Sequence, residues 1–375
     1  MSRNRKYRFA LSVAVGLISL AAFGSVAPPV GQETVPAGED QAIESIRASI
    51  AKGVEAQAAK DGVAHRDAHA KHHGCVRATF TVDEQIPASF KTGVFAHPGK
   101  AYPAWIRYSN GSGTIEKDSK GDGRGMAVKL MDVPGQKILE DEATAQTQDF
   151  LMINHPVFFT RNALDYVHLV DSVTQNGSPF SFFFPSILPW QWHGHEALIG
   201  AALTLKKVDD PLAIRYFSMT PYRMGNGAVA VKYSAKPCKG TPAQGKYAFP
   251  TGDFYRLREA MTAHLKSEAA CFEFMVQPQK DAKEMPIEDP TIEWSESDSP
   301  FVTVAKIEIP KQAFDTPAQQ EFCENLSMTP WHSLPEHRPL GGINRVRKVV
   351  YQSISELRHH LNGVDRKEPT PTDNP

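Results

Sequence analysis

Between Val76 and Ile309 the chain is cut into short runs in which apolar and polar residues alternate, and that pattern limits the fold more than any other feature. The runs are VRATFTV from Val76, PAWIRYS from Pro103, GMAVKLMDV from Gly125, AVAVKYSAK from Ala228, CFEFMVQ from Cys271 and VTVAKIEI from Val302, with Gly, Pro and Asp between them. In the last, Val302, Val304, Ile307 and Ile309 bracket Lys306 and Glu308. A period of two with one polar face is that of half-buried antiparallel strands, and several in succession predict a barrel. Helical spacing takes over at 41–60, where Ile43, Ile46, Ile50 and Val54 recur, and again at about 162–175, 252–269 and 345–361. The expected class is therefore α+β. At about 150 residues per domain, 375 residues would admit two or three domains. Absence of an internal repeat, or of a composition break after residue 60, favours one large domain.

The ends read differently. Arg3, Arg5, Lys6 and Arg8 form a basic start, Phe9 to Phe23 is apolar and uncharged, and small residues follow through Ala27. That is the layout of a secretory signal peptide over 1–27, with an uncleaved N-terminal anchor as the alternative. The expected location is exported, periplasmic or secreted. Residues 28–40 are rich in Pro, Gly and Glu and read as a linker, 41–363 as the folded domain, and 364–375, polar with three prolines, as a disordered tail. In an oxidising compartment the four cysteines, Cys75, Cys238, Cys271 and Cys323, allow three pairings. With no CxxC or CxxCH among them, a zinc ribbon and covalent haem attachment are disfavoured.

Charge excludes one class of partner. Lys plus Arg number 41 against 42 Asp plus Glu, so the chain lacks the basic excess that coating nucleic acid requires. Local basic sites for small anions remain open.

One such site is visible on the last helix. At about 100° per residue, Tyr351 lies about 40° and Arg358 about 20° around from Arg347, so two guanidiniums and a phenol share a face. Nearby positive charge favours phenolate, an anionic oxygen suited to ferric iron. R-x-x-x-Y alone is common. Three further motifs accompany it: Arg66-Asp67-Ala68-His69-Ala70-Lys71; Ala104-Trp105-Ile106-Arg107-Tyr108-Ser109 leading to Asp122-Gly123-Arg124-Gly125; and Asp149 to Arg161, which contains Ile153-Asn154-His155-Pro156-Val157-Phe158-Phe159.

Together and in this order the four motifs resemble the haem catalase family, over roughly residues 63–170 and 329–362. The resemblance implies a catalase-like antiparallel β-barrel with surrounding helices and haem b (iron protoporphyrin IX) held between barrel and proximal helix. It places the distal histidine on His69, the hydroxyl beside it on Ser109, and the iron ligand on Tyr351 with Arg347 one turn away. It assigns the haem propionates to Arg66, Arg107 and Arg358, an aromatic stacked on the macrocycle to Tyr166, and an acidic residue of the access channel to Asp122. One position departs. With Pro156–Phe159 in register, the family's distal asparagine falls on Ile153, and Asn154 stands one place on. Asn154 is the catalytic candidate there provided a local bulge turns it to the same face. His72 and His73 are alternative bases.

The implied activity is that of a small, divergent, exported haem peroxidase or catalase. His69 would act as general base and then general acid on hydrogen peroxide, with an unidentified small-molecule electron donor as second substrate. Ile153 tilts the expectation towards peroxidase. Alternatives are haem-dependent conversion of organic (fatty-acid) hydroperoxides and a non-enzymatic haem-binding protein. No nucleic acid is expected, membrane contact is expected only through an uncleaved N-terminus, and a homo-oligomer is left open. The aromatic run from Phe180 through Trp192 reads as core or channel lining, and Trp190 to Glu196, which mimics a metal site, as an ordinary loop.

Overall fold

The computed structural model describes residues 29–227, 229–248, 253–373 and 375. The segment read as a signal peptide, 1–27, lies outside them. Six of the nine strands coincide with the alternating runs: β1 (His72–Val82), β2 (Ala101–Asn110), β3 (Arg124–Met131), β7 (Ala230–Pro237), β8 (Ala270–Pro278) and β9 (Val302–Ile309). The others are β4 (Thr147–Ile153), β5 (Tyr216–Phe217) and β6 (Tyr222–Arg223). All pairings are antiparallel, in the order β5-β4-β3-β2-β1-β9-β8-β7, and β5 also pairs with β7, which closes a ring of eight. β6 attaches to β7 outside that ring. Closure leaves the ring no open edge.

Alternation decides what fills the barrel. Ile106, Tyr108, Met126, Val128, Phe150 and Phe274 point inward and are fully or almost fully buried. Phe150 lies 5.0 Å from both Tyr233 and Phe274 between ring centroids, edge-on or tilted, as aromatic quadrupoles prefer. β9 keeps Lys306 and Glu308 outside while Ile307 and Ile309 are buried.

Three long helices cover the β2–β4 side: α1 (Glu39–Asp61), α2 (Ala163–Asn176) and α7 (Gly342–Asn362). Ile43, Ile46, Ile50 and Val54 form the buried stripe of α1 and pack on Val346, Val350 and Ile354 of α7, as their spacing predicted. Shorter helices follow: α3 (Phe180–Phe183), α4 (Gly194–Thr204), α5 (Arg256–Ser267) and α6 (Pro317–Asn325). Of the three pairings open to the cysteines, the chain forms Cys75–Cys323 and Cys238–Cys271. The first spans 248 residues and ties α6 to β1. A loop of that length corresponds to about 5 kcal/mol in the chain-entropy account.

Both flanking segments are anchored. Glu33, in the stretch read as a linker, pairs with Arg345 at 2.7 Å and with Arg338. Glu368, in the stretch read as a disordered tail, reaches the fully buried Lys129 at 2.7 Å. Lys129 also holds Asp149 at 2.8 Å, and a buried cation of this kind needs its anions. Composition had suggested a linker and a frayed tail; three specific ion pairs hold these stretches in place.

The aromatic run also departs from expectation. Phe182 is buried, but Phe180, Ile187 and Trp190 are 66%, 92% and 77% exposed. The run forms a surface lobe instead of core.

Candidate functional site

Outward-facing residues of β2, β3 and β4 form two rows across the barrel wall. Ser109 pairs with Gly125 and Gly125 with Ile153; one step along, Arg107 pairs with Ala127 and Ala127 with Leu151. These rows face α7, and a cavity of about 560 Å³ lies between them. His69, Ser109, Arg66, Arg107, Asp122, Tyr166, Arg347, Tyr351 and Arg358 all line it, although they come from widely separated parts of the sequence.

On the barrel side the central group is His69. Its backbone sits at φ 59°, the left-handed region that side chains rarely adopt. Two bonds hold it there: His69 N–H donates to Gly111 O at 3.0 Å, and Arg107 Nη2 donates to His69 O at 2.9 Å. The imidazole Nδ1 lies 3.0 Å from Ser109 Oγ. Gly125 makes room for this pair, since a Cβ there would stand 2.7 Å from both Nδ1 and Ser109 Oγ. Burial, and then the charges of Arg107 and Arg347, push the His69 pKa down to about 4. The ring is neutral at ordinary pH.

On the helix side, Val346, Arg347, Val350, Tyr351 and Ile354 reach the cavity from successive turns of α7. The Arg347 guanidinium lies 5.2 Å from the Tyr351 ring centroid. It also donates to Asn344 Oδ1 at 3.1 Å and Thr220 Oγ1 at 3.3 Å. Burial works against the Arg347 charge, but the phenols of Tyr351 and Tyr222 outweigh it and raise its pKa. Tyr166, on α2, meets Phe158 edge-on at 5.7 Å, and burial raises its phenol pKa.

One end of the cavity is strongly basic. Arg66, Arg107 and Arg358 converge there, and burial lowers all three pKa values, that of Arg358 to about 9. Arg66 Nη1 and Arg107 Nε are buried without a hydrogen-bond partner. Unpaired donors on buried cations are costly unless a ligand supplies the acceptors. The nearby carboxylate is Glu324, 3.4 Å from Arg66 and 4.0 Å from Arg358. Three guanidiniums outnumber this carboxylate and that of Asp67, which also interacts with Arg66, so the end keeps an excess of positive charge.

The other expectations sort out by geometry. Asn154 does not line the cavity: its Oδ1 accepts the Arg124 N–H at 2.8 Å, fastening the start of β3. No bulge occurs between β3 and β4, so Ile153 keeps the cavity-facing place and the assignment of Asn154 to the catalytic group is corrected. His72 and His73 lie outside the cavity lining as well; His72 pairs with Glu324 at 3.5 Å. Asp122 lines the cavity and accepts from the N–H groups of Gly111 and Ser112, while burial raises its pKa. In the Trp190–Glu196 segment, Glu196 is paired with Arg161 at 3.0 Å, and Arg161 also pairs with Asp165 at 2.8 Å.

Sequence reasoning missed three lining or bordering groups. Asp67, whose carboxyl burial pushes up to about 6, stands between two recognised positions of one motif. Met219 lines the cavity with φ 59°, and its neighbours carried no motif. Glu324 comes from α6, whose capping box of Thr316 and Gln319 was readable, but whose position beside the arginines was not.

A closed antiparallel barrel with a ligand-sized cavity between its wall and a helix bearing an Arg–Tyr pair defines an α+β protein with a candidate small-molecule site. The catalase family profile matches residues 49–198. A catalase of the Onchocerca volvulus endobacterium is 25% identical over 282 residues, which cover 70% of this chain and 55% of that protein. Catalase A from Saccharomyces cerevisiae superposes with a TM-score of 0.62 at 17% identity, covering 86% of this chain and 68% of that one. A fungal catalase gives 0.60 at 17%, covering 81% and 61%, and a bacterial catalase 0.58 at 18%, covering 98% and 71%. Residues 49–198 thus resemble the catalase family in sequence, and the chain resembles catalases in fold. It spans about half the length of the curated relative it matches.

Proposed function

We propose that the chain is a haem-dependent peroxidase or catalase that binds haem b in this cavity and acts on hydrogen peroxide. The observation that carries the reading is the meeting of the His69–Ser109 pair, the Arg347–Tyr351 pair and an arginine cluster with excess positive charge around one largely apolar space. The residues fit the group. Tyr351 would ligate the iron, Arg66, Arg107 and Arg358 would take the two propionates, and Tyr166 would pack against the macrocycle. When bound, haem supplies a redox-active iron.

The protein's own part follows from its groups. A neutral His69 with Nδ1–H donating to Ser109 Oγ leaves Nε2 as base. It takes a proton from one peroxide oxygen and returns it to the other, general base then general acid catalysis worth typically 10² to 10⁴-fold. Arg347 balances negative charge on the Tyr351 oxygen. Val346, Val350, Ile354 and Phe158 exclude water. A second electron source closes the cycle: another peroxide, or an organic donor.

Ile153 supports a second reading, turnover of organic hydroperoxides, because it places apolar surface where an amide would hold the small peroxide. A non-enzymatic haem binder would have no use for a neutral histidine fixed by a left-handed backbone. An absorption spectrum of the purified protein tests the cofactor, and peroxide turnover with and without an organic donor tests the activity. Tyr351→Phe should shift or abolish the Soret band; full haem loading with an unchanged spectrum would refute the ligand assignment. Export is part of the proposal, supported by the layout of residues 1–27 and by two disulfides. N-terminal sequencing of the mature protein tests it. No helix among the described residues is long and apolar enough to cross a membrane.

A further inference from the structure

We infer that Glu324 is an internal counter-carboxylate of the arginine cluster, and that it sets the charge of this end of the cavity to suit a ligand with two carboxylates. The inference rests on the haem reading above and adds a residue to which neither the motifs nor the family resemblance assigns a part.

The geometry is specific. Glu324 Oε1 lies 3.4 Å from Arg66 Nη1 and 4.0 Å from Arg358 Nη1. The backbone of the same segment also serves the cluster: Arg358 Nη1 donates to Glu324 O at 2.9 Å, and Arg66 Nη2 donates to Leu326 O. Ser327 and Met328, next along, line the cavity. α6 is thus docked end-on against the guanidiniums. The residue before Glu324 is Cys323, fully buried and bonded to Cys75 of β1. That bond fixes the end of α6 three residues from His72, whose Nε2 lies 3.5 Å from Glu324 Oε2. Burial would raise the Glu324 pKa, but the charges of Arg66 and Arg107 and the nearby His65 bring it down to about 2, so it is ionised at every working pH.

The charge count gives the consequence. Guanidiniums keep their charge, so the three of them outnumber the carboxylates of Glu324 and of Asp67, which also interacts with Arg66, and the excess positive charge is left for a ligand carboxylate to neutralise. Without Glu324 the empty cluster would carry one more uncompensated positive charge, with only Asp67 left beside Arg66. A dicarboxylate would then be attracted more strongly, and the ligand-free protein would be less stable. Glu324 therefore trades ligand affinity for stability of the empty site, and it moderates the pull on any other anion.

The test measures binding, not turnover. Affinities for iron protoporphyrin IX and for its dimethyl ester are compared by Soret titration in the full chain, in Glu324→Gln and in Glu324→Asp. In Glu324→Gln the preference for the diacid over the ester should rise by about tenfold, the order expected of one nearby charge at a partly screened site. Glu324→Asp, which keeps the charge, should stay near the unmodified ratio. Thermal melting gives a second readout: ligand-free Glu324→Gln should melt lower, and the increment on adding the diacid should be larger. Should Glu324→Gln fail to fold, Glu324→Ser is carried through the same measurements. If the affinities for diacid and ester fall together, or the ratio is unchanged, Glu324 only props α6 and the inference is overturned. If the unmodified chain binds neither porphyrin, the cofactor reading itself fails. That outcome is distinct from binding with an unaltered ratio.

Discussion

His69 shows how much of a site can depend on a residue with no side chain. Its imidazole occupies space that exists only because position 125 has no Cβ, and its backbone takes a left-handed conformation fixed by Gly111 and Arg107. Gly125→Ala should displace the ring and lower peroxide turnover by 10² to 10⁴-fold while the Soret band persists; undiminished turnover would remove His69 from the proposed mechanism. The pH profile is a second prediction at this scale. The pKa of His69 is lowered to about 4, so the basic form is present above that value and is lost as pH falls through it. Turnover should hold from pH 7 to about 5 and decline near 4. A decline centred near 6.5, the ordinary imidazole value, would place the base elsewhere.

At the scale of elements, the two-residue period of β4 decides which of two neighbours belongs to the site. A strand turns successive side chains to opposite faces. The unbroken pairing of Gly125 with Ile153 therefore gives the cavity an isoleucine and leaves Asn154 to hold the Arg124 N–H. Asn154→Ala removes a buried acceptor and should cost about 1–3 kcal/mol, read as a melting point lower by several degrees. An unchanged melting point would mean that water replaces the amide. The motif itself was legible in the sequence; its register against β3 was not, because only the neighbouring strand shows whether a bulge intervenes. The same limit applied to Glu324. α6 had a readable start, but its end meets Arg66 and Arg358 through contacts 260 and 34 residues away in sequence.

Over the whole molecule, burial of titratable groups controls acid stability. His69, His72, His73, His155 and His337 have pKa values pushed down by burial to about 4, 2, 3, 4 and 3. Each binds a proton in the unfolded chain near pH 6.5 but not in the fold, so each makes stability fall as pH drops from 6.5 towards its folded value. Asp67 and Asp149, raised to about 6, act in the opposite sense between about 6 and 3.8. Five groups against two leave about three protons, about 4 kcal/mol per pH unit near pH 5, and Glu324 and Glu368, lowered to about 2, add to the fall below about pH 4.5. Denaturant melts across that range should show stability falling steeply with acid, and a flat profile would contradict the buried neutral histidines. The sequence by itself determined six of the nine strands among the described residues, the long helices and nine of the residues that line the cavity, because periodicity and short motifs are local properties that one stretch of chain carries unaided. Only the tertiary structure decided barrel closure, the disulfide pairing, the exposed aromatic lobe, the ion pairs that anchor both flanking segments, and the choice of Ile153 over Asn154. Each of these depends on which distant groups share a low-dielectric space or a ladder position, and no local pattern encodes that.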